Sequence, residues 1–156
     1  MTSIEGSQQF MKTSQSSYPK CWALISISHP NLDTQTLTRE LGIRPDLSVG
    51  KGVPSISGSS ISAPVWQIYS KKEANAPLED HIWELLERIS PRRKEFQTIC
   101  EKYSVVLYCS VEYNNGGLEE TSLSPRTLLL IGNLGLTLSF HAWRIPEKGR
   151  RLEDKD

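Results

Sequence analysis

Alternating apolar and polar residues mark four predicted strands along the chain. In the first, Cys21 to Ser28, apolar residues at odd positions alternate with a more mixed set at even positions. A period of two is typical of a strand with one buried face. The other predicted strands cover residues 65–70, 104–113 and 136–145.

Apolar residues at helical spacing predict four helices between these strands. The first begins at the N-cap residue Asp33 and ends at Gly42, which suits a left-handed C-cap. The second and third, residues 77–89 and 90–103, are separated by Ser90–Pro91 and predict an antiparallel hairpin. The fourth begins after Ser124 and ends at Gly135.

This order of elements predicts an α+β fold of the ferredoxin-like, split β-α-β type. We expect a four-stranded antiparallel sheet in the order 4-1-3-2, with helices on one face and a helical hairpin between strands 2 and 3. The other face then stays uncovered by helices. Strand phase directs these residues toward that uncovered face: Ser110, Glu112, Thr137, Ser139 and His141.

The 156 residues predict one domain over residues 18–146, flanked by polar ends. Residues 1–17, rich in Ser, Gln and Thr, predict a disordered arm, and residues 147–156 predict a charged, disordered tail. An apolar leader and a run of ~18 apolar residues are both missing. We therefore expect a cytoplasmic protein with no membrane contact.

The balance of charges disfavours binding to nucleic acids or acidic membranes, and the cysteines indicate a reducing compartment. The 18 Lys and Arg residues balance 18 Asp and Glu residues, whereas proteins that bind nucleic acid or acidic membranes usually carry a basic excess. The three cysteines, Cys21, Cys100 and Cys109, have no close spacing and predict buried thiols in a reducing compartment.

Several short motifs, in their order along the chain, resemble a known family. They are Leu41–Gly42–Ile43–Arg44–Pro45, Gly50–Lys51–Gly52, Trp66, Leu85–Leu86 and Ser122–Leu123–Ser124–Pro125. From Cys21 to Ile145 the chain resembles the bacterial family known as domain of unknown function 4279. That resemblance implies no activity and no catalytic residue, and a likeness to small accessory or immunity proteins is an analogy of fold alone.

A first candidate site follows from the predicted strand directions, which bring the segments 44–64 and 114–122 to one pole of the sheet. The first segment is long and rich in Gly, Pro and Ser, and long loops are frequently functional. Polar side chains there suit a small ligand or peptide, although two solvated surface loops have the same composition. The residues are Lys51, Asn114, Asn115, Glu119, Glu120 and Arg144.

A second candidate site is the uncovered face of the sheet. Exposed aromatic side chains there suit a protein partner, a homodimer or stacked bases. An RNA-binding sheet also needs flanking basic residues, which are not evident, and another element can simply cover the face. The residues are Trp22, Tyr69, Tyr108, His141 and Trp143.

Catalytic and metal-binding patterns are weak. Cys109 and His141 fall on opposite faces of the predicted sheet, and His81 with Glu84 shares a helix face but has no second ligand pair. The basic run Arg92–Arg93–Lys94 is typical of a solvated helix start. We expect no catalytic residues, no metal and no cofactor.

The sequence therefore favours a non-enzymatic, protein-binding module, immunity-like or accessory in role. The alternative is a small-ligand-binding or enzyme domain that uses the segments 44–64 and 114–122. An RNA-binding sheet ranks third.

Overall fold

The computed structural model describes residues 20–50, 63–113 and 121–144. The strands within them are β1 (Cys21–Ser28), β2 (Leu47–Val49), β3 (Val65–Tyr69), β4 (Ser104–Tyr113) and β5 (Thr137–Arg144). The α-helices are α1 (Thr34–Leu41), α2 (Leu78–Ile89), α3 (Arg93–Lys102) and α4 (Pro125–Leu134), with a 3₁₀ turn at Ser90–Arg92 between α2 and α3. The predicted arm and tail lie outside the described residues.

The sheet has five strands in the order β2-β3-β1-β4-β5. β1 pairs antiparallel with β3 and β4, β2 pairs antiparallel with β3, and β5 is parallel to β4. The predicted α+β class is confirmed, but the four-stranded antiparallel sheet in the order 4-1-3-2 is wrong. The strand at 65–69 lies beside β1, and the last strand lies beside β4 on the opposite side of the sheet.

Two connections explain this difference. The three-residue strand β2 lies in the segment predicted to be irregular, and it forms an antiparallel pair with β3. This extra reversal makes β3 run against β1, whereas the prediction had the two strands parallel. Between β4 and β5 the chain crosses over through α4, a connection long enough to bring the next strand back parallel to its neighbour.

The helices begin and end where side-chain caps allow. Asp33 Oδ1 accepts hydrogen bonds from the amides of Gln35 (3.1 Å) and Thr36 (3.3 Å), and so caps α1. Ser124 Oγ accepts from the Thr127 amide (3.3 Å) at the start of α4. Gly135 ends α4 with φ +82°, in the left-handed region that favours glycine.

All four α-helices contribute to one apolar core on one face of the sheet. From β1 and β4 the core receives the odd-numbered residues, and from β3 it receives Trp66 and Ile68. Ala23, Ile25 and Ile27 are 0% exposed, so the helix layer seals this side of the central strand. The other face, called the open face below, carries the even-numbered positions of β1 and β4, as the alternation predicts.

Two buried polar side chains tie the helices to the sheet. The Trp66 indole donates a hydrogen bond to Thr38 Oγ1 in α1 (3.0 Å). His81, 1% exposed, places Nδ1 2.8 Å from Ser70 Oγ, and this oxygen also accepts from the Ala23 amide (3.0 Å). Ser70 therefore joins β1 to α2 at the point where β3 ends.

Burial lowers the pKa of His81 below its ordinary value of about 6.5. The backbone carbonyl of Glu73 and the carboxylates of Asp80 and Glu84 partly oppose this shift, while the charge of Lys72 adds to it. The neutral imidazole is thus the form that belongs to the folded state.

We expect the Gly135→Ala substitution to lower the free energy of unfolding by about 1–2 kcal/mol, because a side chain in the left-handed region is strained. An added Cβ also meets Cys100 Cβ at 3.3 Å. Gly132 in α4 is the matched control, since a Cβ there meets no atom within 4 Å and Gly132→Ala should stabilise the protein by roughly 0.5–1 kcal/mol. Urea denaturation checks both values, and equal effects of the two substitutions would contradict the assignment.

We expect the free energy of unfolding to fall as the pH drops below about 6.5, because the unfolded chain then binds a proton that folded His81 resists. Above that pH the contribution is fully present. His81→Gln should flatten this dependence in urea denaturation series, and His141→Gln, a change at an exposed histidine, should leave it intact. An unchanged slope in His81→Gln would show that another group titrates.

Candidate functional site

Three aromatic side chains stand side by side on the open face. Leu24 of β1 pairs with Tyr69 of β3 on one side and with Tyr108 of β4 on the other. Trp22 lies two positions along β1, on the same face. Their exposed fractions are 43% for Trp22, 40% for Tyr69 and 42% for Tyr108. These three residues and Leu24 form what we call the aromatic surface.

The register of β5 extends this surface toward the edge of the sheet. His141 pairs with Ser110, which in turn pairs with Trp22, and the His141 side chain is exposed. Position 143 pairs with Glu112 and so falls on the same face. The structure therefore brings all five positions predicted for this face onto one side of the sheet.

Tyr69 is held in place by several hydrogen bonds. Its amide donates to Asp46 Oδ2 (2.7 Å), its carbonyl accepts from the Arg88 guanidinium, and its hydroxyl donates to Gln67 Oε1 (3.2 Å). Gln67 Nε2 donates in turn to Ser26 Oγ (3.1 Å). The bonds to Asp46 and Arg88 therefore fix the backbone of Tyr69, and the bond to Gln67 orients its ring.

Leu24 and Gln67 were missed as members of this site by the search for aromatic residues. The same alternation that selects Trp22 also places Leu24 on the open face, so strand phase was a sufficient signal for it. The role of Gln67 depends on pairing between β1 and β3, which local sequence does not specify.

Ser110 and Glu112 lie on the open face as predicted, and both are nearly buried there. Ser110 is 7% exposed, because it is small and lies directly between the larger Trp22 and His141 on the neighbouring strands. Glu112 is 5% exposed, and its Oε2 accepts from the Lys20 amide (3.2 Å) at the start of β1. Within the described residues, Ser110 Oγ has no hydrogen-bond partner.

The open face carries little charge. Among its described strand positions none is Lys or Arg, and Glu112 supplies a carboxylate that is nearly buried. Lys71, two residues after Tyr69, is paired with Asp46 at 3.4 Å. The surface thus presents rings, a leucine and hydroxyls.

The predicted direction of the second strand, from which segments 44–64 and 114–122 were expected to meet at one pole, is wrong. Val49 ends β2 opposite Val65, at the level of Ser28. β4 ends at the level of Cys21, at the opposite end of the strands, which we call the Cys21 end of the sheet. Arg144 ends β5 at the Cys21 end of the sheet. The other candidates lie outside the described residues: Lys51, Asn114, Asn115, Glu119 and Glu120.

A cleft of about 320 Å³ opens at the Cys21 end of the sheet, between the N-terminal turn of α2, the start of β1 and the last residues of β4. Thr121 and Ser122 line one side of it. The Cys21 thiol points to the Ala76 carbonyl (3.0 Å), and burial raises its pKa to about 11. This thiol is therefore a poor nucleophile at neutral pH.

A polar network beside the cleft fixes α4 against α2. The Glu79 carboxylate accepts from the Ser124 amide (2.8 Å) and from the Thr127 hydroxyl, and these bonds, that of Thr127 above all, lower its pKa. The Trp83 indole donates to Thr127 Oγ1 (2.8 Å), and the Arg126 guanidinium lies 5.2 Å from the centre of the Trp83 ring. The ionised Glu79 carboxylate thus stabilises the N-terminus of α4.

The paired residues considered for chemistry have other roles. Cys109 is 0% exposed under the helices, burial raises its pKa to about 12, and His141 lies on the opposite face. Glu84 accepts from the Lys71 amide (3.3 Å) and pairs with Arg88 (3.3 Å), while His81 contacts Ser70. In the described part of the chain, no cluster of three or more His, Cys, Asp or Glu residues is arranged to hold a metal ion.

The side chains of Arg92, Arg93 and Lys94 are exposed, and Arg92 lies 4.0 Å from Glu95. Of the helices in the described ranges, none combines the length and the apolar character needed to cross a bilayer.

Comparison with known proteins gives one match. The chain matches no curated protein and no solved structure. A family model described as "Domain of unknown function (DUF4279)" matches residues 19–144, which span every described helix and strand. The resemblance seen in the sequence is therefore confirmed: the chain belongs to the family called domain of unknown function 4279.

Proposed function

We propose that this domain is a non-enzymatic module that binds another protein through the aromatic surface. The observation that carries the proposal is the exposure of Trp22, Tyr69 and Tyr108, each about two fifths accessible, on the face that the helices leave open. Tyr and Trp are enriched at protein interfaces and dominate their binding energy. A role as an accessory or immunity-like protein in the bacterial cytoplasm fits this proposal, and three free cysteines suit a reducing compartment.

The aromatic surface is well prepared for a partner. Asp46 and Arg88 hold the backbone of Tyr69, and the hydrogen bond from its hydroxyl to Gln67 orients the ring, which reduces the side-chain freedom lost on association. Trp22 and Tyr108 project from β1 and β4, two strands in the interior of the sheet, and strands hold side chains more precisely than loops do.

The partner is expected to present an uncharged, largely apolar patch with a few hydrogen-bonding groups. The described strand positions of the open face include no cation, so a matching acidic surface gains nothing there.

The same charge pattern disfavours an RNA-binding sheet. Single-stranded nucleic acids are bound by aromatic stacking together with a positively charged groove. The rings are present here, but the described strand positions on this face include no Lys or Arg, and the nearby Lys71 is paired with Asp46.

The cleft at the Cys21 end of the sheet supports a second candidate function, the binding of a small molecule. Its volume of about 320 Å³ falls within the range of ligand sites. The exposed Asp80 carboxylate lies in its lining, next to Thr121 and Ser122. A small hydroxylated or amine-bearing ligand fits such groups better than an anion does.

We expect Tyr108→Ala to weaken binding of the partner by at least about tenfold, because truncating a central ring at an interface commonly costs more than 1 kcal/mol. A photo-cross-linking amino acid placed at position 108 first identifies the partner in cells. Titration calorimetry with the purified partner then compares wild type, Tyr108→Ala and Trp22→Ala.

Leu129→Ala is the matched control, since Leu129 is 65% exposed on α4, on the opposite side of the sheet. It should change the dissociation constant less than about twofold. Equal losses in all variants, or no loss in Tyr108→Ala, would contradict the proposal. Binding of single-stranded RNA with a steep salt dependence would favour the nucleic-acid alternative instead.

A further inference from the structure

The two edges of the sheet are protected to very different degrees. At one edge, β2 is three residues long and follows Asp46, whose carboxylate is engaged by the Tyr69 amide and Lys71. At the other edge, β5 is eight residues long and, among the described strands, pairs with β4 alone. Proteins usually blunt an exposed edge strand by shortening it or by adding charge or proline. β2 follows that pattern and β5 does not.

The composition of β5 makes its edge suited to pairing. From Thr137 to Trp143 the strand contains no Lys, Arg, Asp, Glu or Pro. Phe140 pairs with Cys109 and therefore lies on the helix side, yet it is 58% exposed. A phenylalanine so exposed on the core side indicates that the helix layer ends before it covers this edge.

The adjacent flank of α4 is apolar as well. Leu130 and Leu134 line a small cleft against α2. At 100° per residue, Leu128 lies about 200° from Leu130, on the flank that faces away from α2. It is 49% exposed. Leu128 and Phe140 thus leave apolar surface at the same end of the helix layer.

We propose that β5 pairs antiparallel with β5 of a second copy of this chain, joining two five-stranded sheets into one of ten strands. The occupant of an edge strand must be an extended backbone, because its unpaired amides and carbonyls need complementary groups. A two-fold axis near Phe140 supplies them from identical residues of both copies.

Self-complementarity favours a second copy over an unrelated peptide. About an axis near Phe140, the helix side places the two Phe140 rings together and sets Leu138 against Ala142 of the second copy. On the open face Ser139 lies opposite His141. The charged residue of the strand, Arg144, falls opposite Leu136, directly before the other β5, so no like charges meet.

This inference goes beyond the proposed function and does not depend on it. Edge-to-edge pairing leaves both faces of the sheet accessible, so a dimer through β5 can still present the aromatic surface. The two ideas fail separately, because one is read from the chain's own mass and the other from binding of a different protein.

Light scattering coupled to size-exclusion chromatography of the full chain tests the pairing. We expect wild type to run at twice the chain mass and to dissociate on dilution. Phe140→Glu should raise the dimer dissociation constant by at least about tenfold, since it places two carboxylates opposite each other, and thermal melting should confirm that the exposed position tolerates the change. Leu47→Glu, at a residue 38% exposed on β2, is the matched control and should remain dimeric.

Hydrogen exchange of wild type at high and low protein concentration gives an independent reading. Amides of residues 138–142 should be protected more at high concentration, whether or not Phe140→Glu folds. A wild-type monomer at all concentrations would overturn the proposal. A dimer that survives Phe140→Glu but is lost in Tyr108→Ala would assign the contact to the open face and would equally overturn it.

Discussion

The packing of α2 against β1 is the constraint on which the rest of this structure depends. β1 is the central strand, hydrogen-bonded to β3 on one side and β4 on the other, and its inward residues Ala23, Ile25 and Ile27 are fully buried. α2 supplies Ile82 and Leu85, both 0% exposed, to the same core. Because the inward side of β1 is sealed, its outward side is the one that remains for contacts with other molecules.

This one-sided arrangement explains why the polar connections cluster where they do. The Ser70 hydroxyl links the Ala23 amide to His81 at the point where β3 gives way to the approach to α2. Glu79, in the first turn of α2, accepts a hydrogen bond from the Ser124 amide at the start of α4. The bonds made by His81 and Glu79 therefore join α2 to neighbouring elements, and α2 acts as the common support of the helix layer.

Local features of the fold were predictable from the sequence, whereas its topology was not. Asp33, Gly42, Ser124 and Gly135 specify helix ends through interactions within a few residues, and each acts as expected. Strand order depends on pairing between distant segments. β2, with the three residues Leu47–Val49, is too short for its alternation to be recognised, and missing it reversed the predicted direction of the next strand.

The candidate site divides in the same way. The three rings of the aromatic surface need the phase of each strand alone, so they were correctly placed on one face even though the predicted strand order was wrong. The proposed pole of Lys51, Asn114 and Arg144 also needed correct strand directions, and the direction predicted for the second strand was wrong. Burial of Ser110 and Glu112 depends on which larger side chains flank them, and this again requires the register.

The pairing of β1 with β4 also has a consequence for synthesis on the ribosome. Lys20 and Glu112, which meet at the end of this pair, are 92 residues apart along the chain. The first half of the nascent chain can form the antiparallel β1–β3 pair, but one side of β1 then waits, unpaired, until most of the remaining domain has emerged. Such a long-range closure slows folding, and a newly made chain spends that interval with its central strand open to chaperones.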